Sequence, residues 1–124
     1  MKKRDIIKPD PSLRSNLMAF GYECGKGWYP LIEKTLDKIE AALPPEMKDD
    51  FQVLQIKEKW GMLTIYTSSE TEEIEKILKE ATAESCKICE HCGNPANLVV
   101  EHGWYVTICP DCLNKMRDER KKYE

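Results

Sequence analysis

Two Cys-x-x-Cys pairs near the C-terminus constrain this chain more than any other feature. Cys89 and Cys92 form the first pair, Cys109 and Cys112 form the second, and sixteen residues separate the pairs. A gap of two residues lets both sulfurs of a pair point towards one metal ion, and the intervening segment can form a β-hairpin that returns the second pair to the first. The spacing therefore predicts a structural, tetrahedral four-cysteine zinc site, one per chain.

The residues around the pairs indicate the local fold. Gly93 directly follows Cys92, and glycine readily adopts the positive φ that a metal-binding knuckle needs. The second pair runs into a helix-forming stretch over residues 113–122. A knuckle, a hairpin and a ligand pair that enters a helix predict a treble-clef or zinc-ribbon-like ββα unit over residues 86–124.

Disulfides, redox chemistry and iron are the competing uses of such cysteines. No apolar segment follows the basic residues 2–4, so the sequence predicts no signal peptide and a cytoplasmic protein, in which disulfides are rare. A thioredoxin-like site needs a βαβ pattern, which the sequence lacks. A rubredoxin-like iron site uses the same ligands and stays open. Zinc is favoured because so short a tail cannot fold on its apolar core alone, and metal binding supplies folding free energy.

Cys86 complicates the ligand assignment because it forms an overlapping Cys-x-x-Cys pair with Cys89. The glycine after Cys92 favours the later pair. Cys86 is expected to be the last buried small residue of the preceding helix. The sequence leaves open whether Cys86 replaces one of the four ligands or lies beside the metal without binding it.

Three other residues have side chains suited to metal binding or catalysis. His91 lies inside the first knuckle and is expected to point outward, and His102 falls in the predicted hairpin turn. Cys24 is expected to be a free buried thiol. A nucleophilic role for Cys24 is disfavoured because no neighbouring base can be named.

Hydrophobic periodicity divides residues 1–85 into a helix, a hairpin and a second helix. The first helix is predicted to begin near Pro30 and to stop before Pro44 and Pro45. Its apolar face recurs at intervals of three and four residues: Ile32, Leu36, Ile39 and Leu43. Residues 51–58 and 62–67 are rich in β-forming side chains, and they predict a hairpin that turns at residues 59–61.

The second helix is predicted to run from a capping box at Ser69 and Glu72 to about Cys86. Its apolar face contains Ile74, Ile77 and Leu78. The predicted fold class is α+β, with a small α+β region over residues 1–85 followed by the zinc unit over residues 86–124.

Four segments of the sequence resemble a known family: GYECGKGWYPL at 21–31, QIKEKWG at 55–61, SCxxCExCG at 85–93 and GWxxTxCxxC at 103–112. Together they resemble a family of small four-cysteine zinc-binding proteins of tailed bacteriophages and prophages, for which no activity is established. The resemblance implies a phage or prophage setting, the cytoplasm of a bacterial host and a bound metal. It supplies no catalytic residue.

Each of the three tryptophans lies next to a glycine, as is typical of chain reversals. Trp60 is predicted at a hairpin tip near Lys57 and Lys59, where it can anchor a partner. The competing interpretation, which we weight more heavily, is that Trp60 folds back on the first helix. Trp28 is expected in the core. At the start of a strand, Trp104 and Tyr105 also belong to the candidate partner surface, because alternation turns one of them outward.

Two function classes survive. The first is an interaction protein in which zinc holds a rigid surface for a protein partner. The second is a nucleic-acid binder that uses Trp60 and the basic side chains of the terminal helix: Lys115, Arg117, Arg120, Lys121 and Lys122. The formal net charge of -3 argues against strong phosphate binding. An enzyme is disfavoured because four thiolates leave zinc no open position.

We therefore expect a non-enzymatic, zinc-stabilised phage or prophage accessory protein that binds a protein partner, such as a host or phage enzyme. No segment is long and apolar enough to predict a membrane span. The sequence leaves the oligomeric state open.

Overall fold

The structure, a computed structural model, describes residues 2–10 and 12–122. Within them the fold is α+β, as predicted, with three α-helices and two small sheets. The elements are β1 (Tyr22–Glu23), α1 (Tyr29–Ala42), β2 (Val53–Lys59), β3 (Met62–Thr67), α2 (Glu72–Ser85), β4 (Asn97–Glu101), β5 (Trp104–Ile108) and α3 (Pro110–Lys121). The predicted regions 1–85 and 86–124 also contain residues 1, 11, 123 and 124, which lie outside the described residues.

Helix α1 begins and ends where the sequence predicts. Pro30 lies in its first turn, where the missing N–H costs no helical hydrogen bond. The helix ends at Ala42, shortly before Pro44. The side chains of the predicted apolar face are buried: Ile32, Leu36, Ile39 and Leu43.

Strands β2 and β3 form the predicted hairpin. Trp60 and Gly61 make its two-residue turn with φ values of 57° and 81°, and turns of this kind match the twist of the paired strands. Sequence analysis missed β1, which pairs in parallel with Ile56 and Lys57 of β2 and completes a sheet in the order β1-β2-β3. A strand of two residues has no periodicity by which it can be recognised.

The capping box predicted for α2 is wrong, although the helix itself is confirmed. The cap is Thr71, whose extended backbone precedes Glu72 and whose hydroxyl accepts a hydrogen bond from the N–H of Ile74 at 3.1 Å. Ser69 lies two residues before the true N-cap. Thr71 already accepts the hydrogen bond from the N–H at the third helical position, so no role as a cap remains for Ser69. The helix ends at Ser85, next to the predicted end.

One apolar core is shared by α1, α2 and the three-stranded sheet. Trp28 is completely buried in it, as predicted. Ile74 of α2 is also completely buried, whereas Ile77 and Leu78 are partly buried against the same cluster. The predicted apolar face of α2 is therefore confirmed.

The C-terminal region forms the predicted ββα unit. Strands β4 and β5 pair antiparallel, with Glu101 opposite Trp104 and Asn97 opposite Ile108. A second apolar cluster joins this hairpin and α3: Cys89, Ile108 and Cys109, with Val99, Val106, Leu113 and Met116 packed against them. This cluster is small, and two of its three buried members are predicted metal ligands.

Candidate functional site

The four predicted ligands converge on one point. The Sγ atoms of Cys89, Cys92, Cys109 and Cys112 all lie within 4.8 Å of one another. The Sγ atoms of Cys92 and Cys109 are 3.6 Å apart, and tetrahedral zinc with bonds of about 2.3 Å to sulfur places its ligands about 3.7 Å from each other. All six cysteines lie in the described part of the chain and are free of disulfides. This cluster can hold a metal ion.

Both knuckles are shaped by backbone hydrogen bonds. The N–H of Gly93 donates to the carbonyl oxygen of Cys89 at 2.9 Å, and Gly93 has the expected positive φ, 83°. Cys109 is the N-cap of α3, and its Sγ accepts a hydrogen bond from the N–H of Cys112 at 3.5 Å. Each pair is therefore held on a defined turn.

The electrostatics of the cluster suit a cation. Burial opposes ionisation of Cys89, but backbone N–H groups of Cys109 and Cys92 outweigh it and lower the pKa of Cys89 to about 6. The hydrogen bond to Cys109, burial and the other nearby sulfurs raise the pKa of Cys112 to about 12. One thiolate thus forms easily and opposes ionisation of its neighbour. A divalent cation stabilises all four thiolates together.

The competing metal ligands lie outside the cluster. Cys86 follows the end of α2, is half-buried, and its Sγ contacts the carbonyl oxygen of Thr82 at 3.6 Å. His91 is exposed, as predicted, and His102 is exposed in the predicted turn between β4 and β5. Burial and the charges of Glu90 and Glu58 raise the pKa of the half-buried Cys24 thiol to about 12, which opposes a role as nucleophile.

The first knuckle rests directly on the N-terminal region. The N–H of Gly27 donates to the carbonyl oxygen of Glu90 at 2.8 Å. The indole N–H of Trp28 donates to the carbonyl oxygen of Ile88, also at 2.8 Å. A Cβ atom on Gly27 would lie only 2.0 Å from the carbonyl oxygen of Cys89. Sequence analysis missed this close approach, which holds the four-cysteine cluster against the main core.

The β4–β5 hairpin makes a second contact with the N-terminal region, at the tip of the β2–β3 hairpin. The hydroxyl of Thr107 is buried and donates to the carbonyl oxygen of Gly61 at 2.8 Å. The Trp60 and Tyr105 rings meet edge to face, with centroids 6.0 Å apart and an interplanar angle of 78°. The position of the four-cysteine unit therefore determines which side chains surround Trp60.

We define the aromatic surface as Trp60, Trp104 and Tyr105. Their exposed fractions are 64%, 77% and 48%, and a groove of about 300 Å³ runs between them beside Lys59. Trp60 does not fold back on α1, so the interpretation we weighted more heavily for it is wrong. Because side chains alternate along a strand, we predicted that either Trp104 or Tyr105 points outward. Both are exposed, because the side chains of β5 that pack in the second apolar cluster begin only at Val106.

The two lysines predicted beside Trp60 differ in position. The Nζ of Lys59 lies 3.2 Å from the hydroxyl of Tyr66, close to the hairpin tip. Lys57 lies farther back, mid-strand and half-buried, opposite Thr64 and next to β1. Lys59 borders the aromatic surface, whereas Lys57 does not line its groove.

The basic side chains of α3 do not form a uniform patch. Arg117 makes two hydrogen bonds to the Glu101 carboxylate, at 2.8 and 3.1 Å, and Arg120 lies 3.4 Å from it. Chiefly through Arg117, these contacts lower the pKa of Glu101 to about 2. The remaining basic residues are exposed: Lys115, Lys121 and Lys122. Sequence analysis missed Glu101 as a counter-charge, because its distance from α3 along the chain hides the pairing.

Comparison with models of protein families, with characterised proteins and with solved structures finds no match to this chain. Within the described residues, no helix has both the length and the apolar character needed to cross a membrane.

Proposed function

We propose that this protein is a non-enzymatic, zinc-stabilised binding protein. One structural zinc ion per chain is held by Cys89, Cys92, Cys109 and Cys112. The ion fixes the β4–β5 hairpin, and a protein partner binds the aromatic surface, with Lys59 as an accessory contact.

The edge-to-face contact between Trp60 and Tyr105 is the observation that carries this proposal. It joins a side chain of the first hairpin to one of the metal-bearing unit, and both remain largely exposed. Large aromatic side chains held in fixed positions are enriched among residues that dominate the energy of protein interfaces. A four-thiolate zinc site supplies the rigidity without an open coordination position for catalysis.

The biological setting that we propose rests on the sequence resemblance. It is that of a phage or prophage accessory protein in the cytoplasm of a bacterial host, with a host or phage enzyme as partner. Nucleic-acid binding by α3 is the weaker alternative, since Glu101 already pairs with Arg117 and Arg120. Phosphate binding needs several uncompensated cations on one face.

The test compares Trp60→Ala with Phe20→Ala in capture experiments from host and infected-cell lysates. Phe20 is a matched control: it is 73% exposed and closely follows Leu17, whose N–H donates to the carbonyl oxygen of Leu54 near the start of β2, whereas Trp60 follows the end of that strand. We expect wild type and Phe20→Ala to retain the same stoichiometric partner and Trp60→Ala to lose it, with zinc content and thermal midpoint unchanged. Equal retention by all three proteins contradicts the proposal, as does a thermal midpoint lowered by Trp60→Ala.

A further inference from the structure

The outer edge of β4 carries unpaired backbone groups. In the β4–β5 turn, His102 and Gly103 have φ values of 52° and 81°, so Glu101 and Trp104 close the turn as a hydrogen-bonded pair. Hydrogen-bonded and non-hydrogen-bonded pairs alternate along antiparallel strands, which turns the N–H and C=O groups of Leu98 and Val100 away from β5. Among residues 2–10 and 12–122, no group outside the hairpin hydrogen bonds to them.

Other strand edges in the described chain are covered in part or are very short. On β3, the N–H of Leu63 donates to Ser85 Oγ, and its carbonyl oxygen accepts from Thr82 Oγ1, both at 2.9 Å. On β5, the carbonyl oxygen of Thr107 accepts from the N–H of Glu90 at 3.0 Å. Strand β1 has only two residues.

Strand β4 also lacks the usual protection of an open edge. Exposed edges are commonly blocked by lysine, proline or a β-bulge. The sequence of β4 is Asn-Leu-Val-Val-Glu, and its register with β5 is regular from Asn97 to Glu101. An unprotected edge of this kind favours pairing with another strand.

We propose that β4 pairs antiparallel with β4 of a second copy of this chain, about a two-fold axis at Val99. Leu98 of each copy then faces Val100 of the other, so the outward N–H and C=O groups form hydrogen-bonded pairs on both sides of the axis. At the ends, Asn97 faces Glu101, so no like charges oppose each other. The strand is thus complementary to itself in this register.

The side chains of the edge favour the same occupant. Leu98 and Val100 are 37% and 60% exposed and share a sheet face with Tyr105. Pairing brings each of them beside its apolar counterpart in the other copy. This dimer goes beyond the proposed function, because it places the Tyr105 side chains of two copies, each with Trp60 beside it, on the same face of one four-stranded sheet. The strand pair is smaller than a standard interface of about 800 Å² per partner, so we expect weak association, with dissociation at roughly 100 μM.

The experiment measures the mass of the zinc-loaded full chain by analytical ultracentrifugation from about 10 μM to about 1 mM, a range that brackets this dissociation constant. Amide hydrogen exchange is followed by NMR over the same range. We expect the mass to rise from one chain to two, and the Leu98 and Val100 amides to become protected as it does. A monomer at the highest concentration, or a dimer in which these two amides stay unprotected, overturns the proposal.

Two variants test the edge directly. Val100→Pro removes an N–H that the hairpin does not use, and proline is tolerated on edge strands at such positions. Leu98→Lys places a charge on the edge, which opposes strand pairing. This second variant tests the dimer even if Val100→Pro fails to fold. Both are expected to be monomeric with zinc content unchanged, whereas Trp104→Ala, the control in the same hairpin, dimerises like wild type. Dimerisation of Leu98→Lys at wild-type strength contradicts the proposal.

Discussion

Replacement of Thr107 by Val tests the contact by which the β4–β5 hairpin rests on the first hairpin. Thr107 is completely buried, and its Oγ1 donates to the carbonyl oxygen of Gly61 at 2.8 Å. Val has nearly the same volume but no donor, so the variant leaves this carbonyl without its partner. Such a loss costs about 1–3 kcal/mol of unfolding free energy. We expect a lower midpoint in urea titrations of zinc-saturated protein, with an unchanged slope.

Thr35→Val is the matched control for this measurement. Thr35 is 2% exposed, and its hydroxyl donates to the carbonyl oxygen of Leu31 at 2.7 Å within α1. That carbonyl keeps its helical hydrogen bond from the Thr35 N–H, so the expected cost is smaller, below about 1 kcal/mol. Equal losses in the two variants would refute the reasoning, because the Gly61 carbonyl would then contribute nothing specific.

Three further outcomes are expected. Leu78→Ala should cost about 2 kcal/mol, the low end of the range for buried leucines, because Leu78 is only partly buried; an unchanged urea midpoint would show that its α2 face is misassigned. Cys86→Ser should retain the metal, because its sulfur lies outside the cluster; elemental analysis that finds the metal lost would contradict the ligand assignment. Wild type should give no electrophoretic shift with duplex DNA at physiological salt, since Glu101 pairs with two of the α3 arginines; a firm, salt-sensitive shift would favour the alternative function.

Local patterns predicted much of the fold. The spacing of Ile32, Leu36 and Ile39 identified α1 because only one helix face is buried, and the prolines marked its ends. The Trp60-Gly61 reversal located the first hairpin. The cysteine spacing predicted which sulfurs converge, because a knuckle and a hairpin are both short-range structures.

Other features depend on contacts between distant residues, and the sequence could not predict them. The sequence offers both Ser69 and Thr71 as N-cap of α2, and sequence analysis chose Ser69. The backbone conformation at the start of the helix decides for Thr71. The approach of Gly27 to Cys89 joins segments that lie far apart in the chain. Trp60 contacts Tyr105 of the other hairpin and remains 64% exposed. The unbroken apolar run Leu98-Val99-Val100 was available in the sequence as a sign that both faces of this strand are apolar, and sequence analysis did not use it.

Metal analysis of the purified chain and its cysteine variants tests the central claim most directly. Elemental analysis and native mass spectrometry should find one zinc ion per wild-type chain. Serine replacement of Cys89, Cys92, Cys109 or Cys112 should remove the zinc and unfold the C-terminal unit, since metal binding and folding are linked in so small a cluster. Cys24→Ser should keep the full zinc content. A wild-type chain that contains no metal or that contains iron, or a variant of the four that still binds zinc at full stoichiometry, would contradict the account.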